Sequence, residues 1–282
     1  MAVMSYVTSG ITKIDFEDNL FVLTEVGRDN TKDVQDLIES RGGIVKSSVT
    51  RSTNYLIYGD GEEETTKYKK ALELINEKGL EIKLLPLSLF CAAGRGEGLV
   101  EFGSYPFDED GNRKPIKWTV LKREGEKVFL LSTFGLDAKR YNERLKIVTW
   151  DNCTLRKWLN EEFFYFAFSD EEQHRIITTK VTTPGWDDTV DKVFLLSVSE
   201  AMKYLKTDYE RKVVPTSYAV KKGVYRSLND SCRWWLRSPG FGPVTVAYVD
   251  TDGNIYGIGH PANLDNRAVC PALWVDLGSD IE

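Results

Sequence analysis

Short apolar runs separated by polar stretches of helical length organise residues 16 to 93. Phe21-Val22-Leu23-Thr24 is a run of strand type, the polar tract Glu25 to Thr31 follows it, and Val34, Leu37 and Ile38 then stand at helical spacing. Arg41-Gly42-Gly43 ends that helix, because a glycine enters the left-handed conformation that closes a helix, and Ile44-Val45-Lys46 resumes as a second strand. Asn54 to Gly59 reads as a third strand and Asp60 to Glu64 as an acidic loop. Thr65 to Ile75 reads as a helix with Tyr68, Ala71, Leu72 and Ile75 on one side. Ile82 to Leu84 gives a fourth strand, and Pro86, favourable at a first helical position, starts a last helix through Leu89, Phe90 and Ala93.

Gly94-Arg95-Gly96-Glu97-Gly98 alternates glycine with charge and reads as a linker spanning 94–98. Its G-x-G spacing makes no nucleotide loop, since no strand precedes it and the chain has no Gly-Lys-Ser/Thr. Beyond it the period becomes that of strands. Glu101 to Phe107, Ile116 to Leu121 and Lys127 to Ser132 are antiparallel candidates, with turns at Asp108 to Asn112 and at Gly125. Asp151 or Asn152 stands where a helix cap belongs, and Leu155, Trp158, Leu159, Phe163 and Phe166 predict one apolar helical face. Ser197 and Glu200 have capping-box spacing before a second helix with Ala201, Met202, Tyr204 and Leu205. Trp234 to Arg237, Val244 to Val249, Ile255 to Ile258 and Ala272 to Leu277 are further strands, with Asp252-Gly253 as a hairpin turn.

Composition narrows the classes. A chain of 282 residues with 41% hydrophobic and 28% charged residues is long enough for two folded domains. It has no run of 18 apolar residues, and the first residues lack the basic and apolar regions of a secretory leader, so the expected location is cytoplasmic, with no membrane partner. Cys91, Cys153, Cys232 and Cys270 are widely spaced and read as reduced thiols. The net charge is −6, and residues 16 to 93 carry ten basic against fourteen acidic side chains. Such a balance disfavours extended duplex binding and leaves room for a local basic spot that holds one phosphate.

The order of these elements, with Phe21 to Thr24, Leu37-Ile38 before Gly42-Gly43, Val49, Thr53-Asn54-Tyr55-Leu56, Thr66-Lys67, Ala71 and Phe90, resembles a BRCT domain over residues 16–93. The resemblance implies an α/β fold, a four-stranded parallel sheet flanked by helices, that recognises phosphorylated peptides, 5′-phosphorylated DNA ends or other protein surfaces. It also implies a phosphate site made by a Ser/Thr hydroxyl ending the first strand, the next backbone N–H, and a lysine of the second helix. Thr24 and Lys67 match two of these groups, and Lys32 near the start of the first helix is a further donor. Glu25 departs from the family, which usually has Gly there. A carboxylate ~4 Å from a phosphate charge, at an effective dielectric of about 20, costs about 4 kcal/mol unless it turns away.

Residues 99–278 resemble an uncharacterised bacterial domain family that itself looks like the C-type lectin fold. The matching segments are Phe102-Gly103-Ser104-Tyr105-Pro106, Trp118-Thr119-Val120-Leu121, Leu130-Leu131-Ser132, Thr149-Trp150, Leu155-Arg156, Trp158-Leu159-Asn160 and Phe194-Leu195-Leu196-Ser197. The most specific are Trp234-Trp235-Leu236-Arg237-Ser238-Pro239-Gly240 and Pro271-Ala272-Leu273-Trp274, although Cys270 stands where the pattern usually has Arg. This resemblance implies an α+β domain with two helices on mixed, twisted, largely antiparallel sheets, with the chain ends paired and a long-loop face free to bind.

Adjacent Trp234 and Trp235 point to opposite faces of an extended strand, so one is expected in the core and the other against a second layer or a ligand. The exposed one, with Trp186, Tyr248 and Tyr256, would form a stacking surface, whereas dense tryptophans otherwise build a core. Chemistry has little support. His174 and His260 are far apart, and Asp250-x-Asp252-Gly253-Asn254 lacks the spacing of a calcium loop, with Pro261 at the position of the bidentate Glu. The expected function is that of a non-catalytic binding or adaptor protein without metal or cofactor. Its BRCT-like module would recognise a protein surface or phosphopeptide, and the second module would bind or scaffold another partner. Three alternatives stand beside it: a DNA 5′-phosphate end as ligand, a homodimer through the first domain, and an oxidase of the formylglycine-generating type if Cys232 and Cys270 meet.

Overall fold

The computed structural model describes residues 14–59, 62–96, 98–228 and 230–278. The stretch before residue 14, Asp60 of the acidic loop and Glu97 of the linker lie outside these described residues. Among the described residues, those from Ile14 to Gly94 form one compact unit, and those from Arg95 to Gly278 form the other.

The first unit runs β1 (Leu20–Thr24), α1 (Arg28–Ser40), β2 (Ile44–Lys46), β3 (Tyr55–Tyr58), α2 (Thr66–Lys78), β4 (Lys83–Pro86) and α3 (Leu87–Arg95). Its four strands are parallel in the order β2-β1-β3-β4, with Val22 opposite Lys46 on one side and Leu56 on the other. A parallel sheet is covered on both faces, which is why β1 and β3 read as continuous apolar runs rather than alternating ones. Phe21 stacks on Tyr55 at 4.7 Å and meets Phe16 and Phe90, while Val22 and Leu56 pack with Ala71, Leu74 and Ile82. Each buried Val, Leu, Ile or Phe side chain among these contributes about 1.5–3 kcal/mol.

Helix ends follow local chemistry. Gly42 leaves α1 with φ +84°, and the Thr65 hydroxyl caps α2 by accepting from the Tyr68 N–H at 3.2 Å. Pro86 closes β4 opposite Tyr58, so α3 starts one residue later than the sequence suggested, and it continues through Gly94 and Arg95 of the expected linker.

The second unit contains β5 (Leu99–Pro106), β6 (Arg113–Glu124), β7 (Lys127–Ser132), β8 (Asp137–Ala138), α4 (Thr154–Trp158), a π-helical turn (Leu159–Phe163), α5 (Phe164–Ala167) and α6 (Asp170–Arg175). It continues with β9 (Ile176–Ile177), β10 (Thr179–Val181), β11 (Thr189–Asp191), α7 (Val198–Tyr204), α8 (Asp208–Arg211), α9 (Ser217–Lys221), β12 (Trp234–Pro239), β13 (Thr245–Val249), β14 (Ile255–Pro261), β15 (Ala268–Val269) and β16 (Ala272–Asp276). Two five-stranded sheets, β5-β6-β7-β16-β9 and β14-β13-β12-β15-β8, pair antiparallel except for β12 with β15.

Several expectations need correction here. Among the described residues the unit carries more than two helices, because α5, α6, α8 and α9 are short turns lacking an unbroken apolar period. The first and last strands, β5 and β16, share a sheet without pairing, since β6 and β7 lie between them. Neither Asp151 nor Asn152 caps α4. Cys153 does so, its Sγ accepting from the Arg156 N–H at 3.3 Å, and burial pushes that thiol up to about 12. The wide π turn adds one residue to the helical phase. Phe164 and Ala167 are therefore buried beside Leu155, Leu159 and Phe163, while Phe166 lies 48% exposed. The Ser197–Glu200 capping box forms as expected. No disulfide joins the four cysteines.

Candidate phosphate-binding site

Three segments of the first unit meet at the C-terminal end of β1. Thr24 is the last residue of β1 and is buried, and its hydroxyl has no hydrogen-bond partner among the described residues. Lys67 sits in the first turn of α2 and sends its ammonium to the Leu23 carbonyl, Nζ to O 2.8 Å. Its neighbours on the helix behave differently: Lys69 pairs with Glu64 at 2.6 Å and Lys70 with Glu73 at 2.7 Å, both on the surface. Lys67 alone of these three turns toward the sheet. An ammonium has three donors, so the bond to Leu23 leaves two for another acceptor.

Glu25 follows Thr24 with φ +49°, in the left-handed region, which costs a non-glycine residue about 1–2 kcal/mol. Its side chain is exposed. The local reason for this turn is Gly59: its N–H donates to the Thr24 carbonyl at 3.1 Å, and a Cβ there would stand 2.1 Å from the Glu25 carbonyl oxygen. Gly59 thus admits the close passage of the β1–α1 connection, a role that its place at the end of a strand-like run did not announce. Helix α1 then starts at the Gly27 cap without any side-chain cap bond, leaving N–H donors of its first turn at the same end of the sheet as Thr24. Lys32 is exposed on α1, one turn beyond that end. Thr24, the Lys67 ammonium and the start of α1 thus lie at one end of the sheet.

The aromatic surface expected in the second unit is placed differently. Trp234 and Trp235 are both fully buried, their indole N–H groups donating to the carbonyls of Arg211 and Lys139 at 3.0 Å each. Neither is free for stacking, because the sheet holding them is covered on both faces. Trp186 is half-buried against the core, Tyr248 is buried, and only Tyr256 is exposed, stacked on Tyr248 at 5.3 Å. Asp250 to Asn254 forms the expected hairpin turn, with the Asp250 N–H bonded to the Asn254 carbonyl. His174 is exposed and bonds the Asp170 carbonyl of its own helix.

Comparison with known proteins places both units. Residues 12–75 match the family model of the BRCT (BRCA1 C Terminus) domain, and the four-stranded parallel sheet is consistent with it. The model of the domain of unknown function DUF6273 matches residues 125–277, more than half of the chain, and the protein belongs to that family. Over the BRCT region the chain is 50% identical across 42 residues to a DNA ligase of Acanthamoeba polyphaga mimivirus, covering 15% of this chain and 7% of the ligase. It is 51% identical across 45 residues to a DNA ligase of Lachnoclostridium phytofermentans, covering 16% of this chain and 7% of the ligase. A DNA ligase of Ruminiclostridium cellulolyticum is 43% identical across 61 residues, 21% of this chain and 9% of the ligase. These matches span less than a tenth of each ligase. No solved structure matches the chain. Among the described residues no helix is long and apolar enough to cross a membrane.

Proposed function

We propose that the BRCT domain recognises one phosphate of a phosphorylated protein partner through Thr24 and Lys67, and that the chain is a non-catalytic adaptor. The observation that carries this reading is the 2.8 Å contact of the Lys67 ammonium with the carbonyl of Leu23, the residue before Thr24. A hydrogen bond to a charged group contributes about 1.5–3 kcal/mol, so loss of the ammonium weakens binding roughly ten- to a hundredfold. The exposed Glu25 side chain relieves the repulsion that its sequence position implies. Lys32 and the α1 N-terminus add long-range attraction.

A DNA 5′-phosphate end is the second reading, favoured by the DNA ligases that match this region. The acidic surplus of residues 16–93 keeps either ligand to a local phosphate contact. The finer reading of the second domain as C-type-lectin-like is supported by antiparallel sheets joined by long connections, such as residues 139–153, and that domain then supplies a second binding surface. The test is titration of phosphorylated and unphosphorylated peptide libraries, and of a 5′-phosphorylated duplex, against wild type and Lys67→Ala. A phosphate-dependent affinity that the substitution abolishes supports the proposal, and equal binding by both proteins removes it.

A further inference from the structure

Arg267 is 1% exposed, in the segment between β14 and β15, and among the described residues no carboxylate lies within ion-pair distance of it. Its Nη1 donates to the Asn266 side-chain oxygen and its Nη2 to His260 Nδ1. Its Nε is buried with no hydrogen-bond partner among the described residues. A guanidinium stays charged in proteins and has five N–H donors, so most of this one is unspent. The guanidinium carbon lies 4.9 Å from the Tyr248 ring and 5.6 Å from the Trp235 ring. Those contacts soften the burial of the charge but accept no hydrogen bond. The other cation nearby, Arg233, already pairs with Asp250 at 2.6 Å. The cluster therefore keeps one uncompensated positive charge in a desolvated place.

The proton positions follow from donor chemistry. Arginine only donates, so His260 Nδ1 accepts, the imidazole is neutral, and its hydrogen sits on Nε2. Burial, then the charges of Arg267 and Arg233, holds the His260 pKa below its ordinary value, in agreement with that state. Nε2 is 3.2 Å from the Tyr248 hydroxyl and donates to it, leaving the Tyr248 hydrogen without an acceptor among the described residues. Two donors thus stand unused, Arg267 Nε–H and Tyr248 Oη–H, on side chains in contact. Tyr256 is stacked on Tyr248 and is 41% exposed.

We infer that Arg267 and Tyr248 form a second ligand site, distinct from the BRCT domain, that takes a small carboxylate. A carboxylate is acceptor-only, carries the missing charge, and matches the planar guanidinium edge with its two oxygens. Tyr256 meets whatever body the carboxylate bears.

Acetate is the probe. The full-length chain, labelled with 15N, is titrated with sodium acetate at an ionic strength held constant with sodium chloride, and the arginine Nε–H resonances are followed. The Arg267 resonance is identified by its proximity to the Trp235 and Tyr248 rings, so no unfolded variant is required. A saturable shift of Arg267 Nε–H, with exposed Arg140 unmoved, is expected. Tyr248→Phe should weaken acetate binding severalfold, and Lys67→Ala should leave it unchanged, which separates this site from the phosphate site. An Arg267 resonance that moves no more than that of Arg140 overturns the inference, as does undiminished acetate binding by Tyr248→Phe.

Discussion

Arg237 of β12 grips Glu200 of α7 with both Nη groups, and the same carboxylate accepts the Ser197 N–H at 2.8 Å in the capping box of that helix. The guanidinium also donates to the Thr183 hydroxyl at 3.1 Å and to the carbonyls of Leu195 and Thr182 at 2.6 and 2.9 Å. One buried cation therefore ties a helix start to the sheet and to two connecting segments, which gives the arginine of the Trp-Trp-Leu-Arg-Ser-Pro-Gly run a structural task.

Removing that cation strands a half-buried carboxylate and several carbonyls. Arg237→Ala should cost about 3–5 kcal/mol in urea unfolding, the usual consequence of breaking a buried pair from one side. In a double-mutant cycle with Glu200→Gln the two losses should be strongly non-additive. A loss below about 1 kcal/mol, the range of a surface pair, would contradict this role.

The π turn at Leu159–Phe163 makes a sharper prediction, because it exchanges the burial of two phenylalanines. Phe164→Ala should cost about 3–5 kcal/mol, since that ring is fully buried. Phe166→Ala should cost about 1 kcal/mol, mostly the Arg113 guanidinium that lies 4.3 Å from its ring and its edge contact with Tyr105. An uninterrupted α-helix would give the reverse order, so thermal unfolding of the two variants distinguishes them.

Asp137 is buried against Tyr105, whose hydroxyl donates to Oδ2 at 2.7 Å, while Oδ1 accepts the Ala138 N–H. Desolvation raises this carboxyl above its ordinary 3.8 despite those bonds. The unfolded chain then releases the proton first, so this group's contribution to stability falls as pH rises from 3.8 through the raised value, and levels off above it. Asp137→Asn keeps an acceptor for Ala138, replaces the oxygen that accepts from Tyr105 with an amide that donates to it, and abolishes that dependence. Its stability relative to wild type should rise across that window, as measured by urea unfolding at a series of pH values. Parallel profiles would show that Asp137 does not titrate there.

The parallel sheet was legible because strands covered on both faces, such as Phe21–Thr24, leave short unbroken apolar runs that polar helices separate. The Ser197–Glu200 box was legible because its chemistry is local. The phase slip after Trp158 was not, since a π turn has no residue signature and the period of 3.6 continues to look acceptable through Phe166. Cys153 caps α4 in place of Asp151 and Asn152, and cysteine is not among the residue types that signal a cap. Trp234 and Trp235 were half legible: opposite faces followed from their adjacency, but a second layer on each face depends on distant segments. In the candidate site, Thr24 and Lys67 were visible as residue types at matching positions. The part played by Gly59 was hidden, because it rests on a close approach between segments far apart in sequence.

Lys67→Ala addresses the central claim, a phosphate held at the end of β1. The affinity of the full-length chain for phosphorylated ligand should fall roughly ten- to a hundredfold, with unphosphorylated ligand binding weakly and equally to both proteins. Isothermal titration against a phosphopeptide selected from the library, with the 5′-phosphorylated duplex in parallel, gives that number directly. Affinity that is independent of phosphate, or unchanged in the variant, would contradict the account.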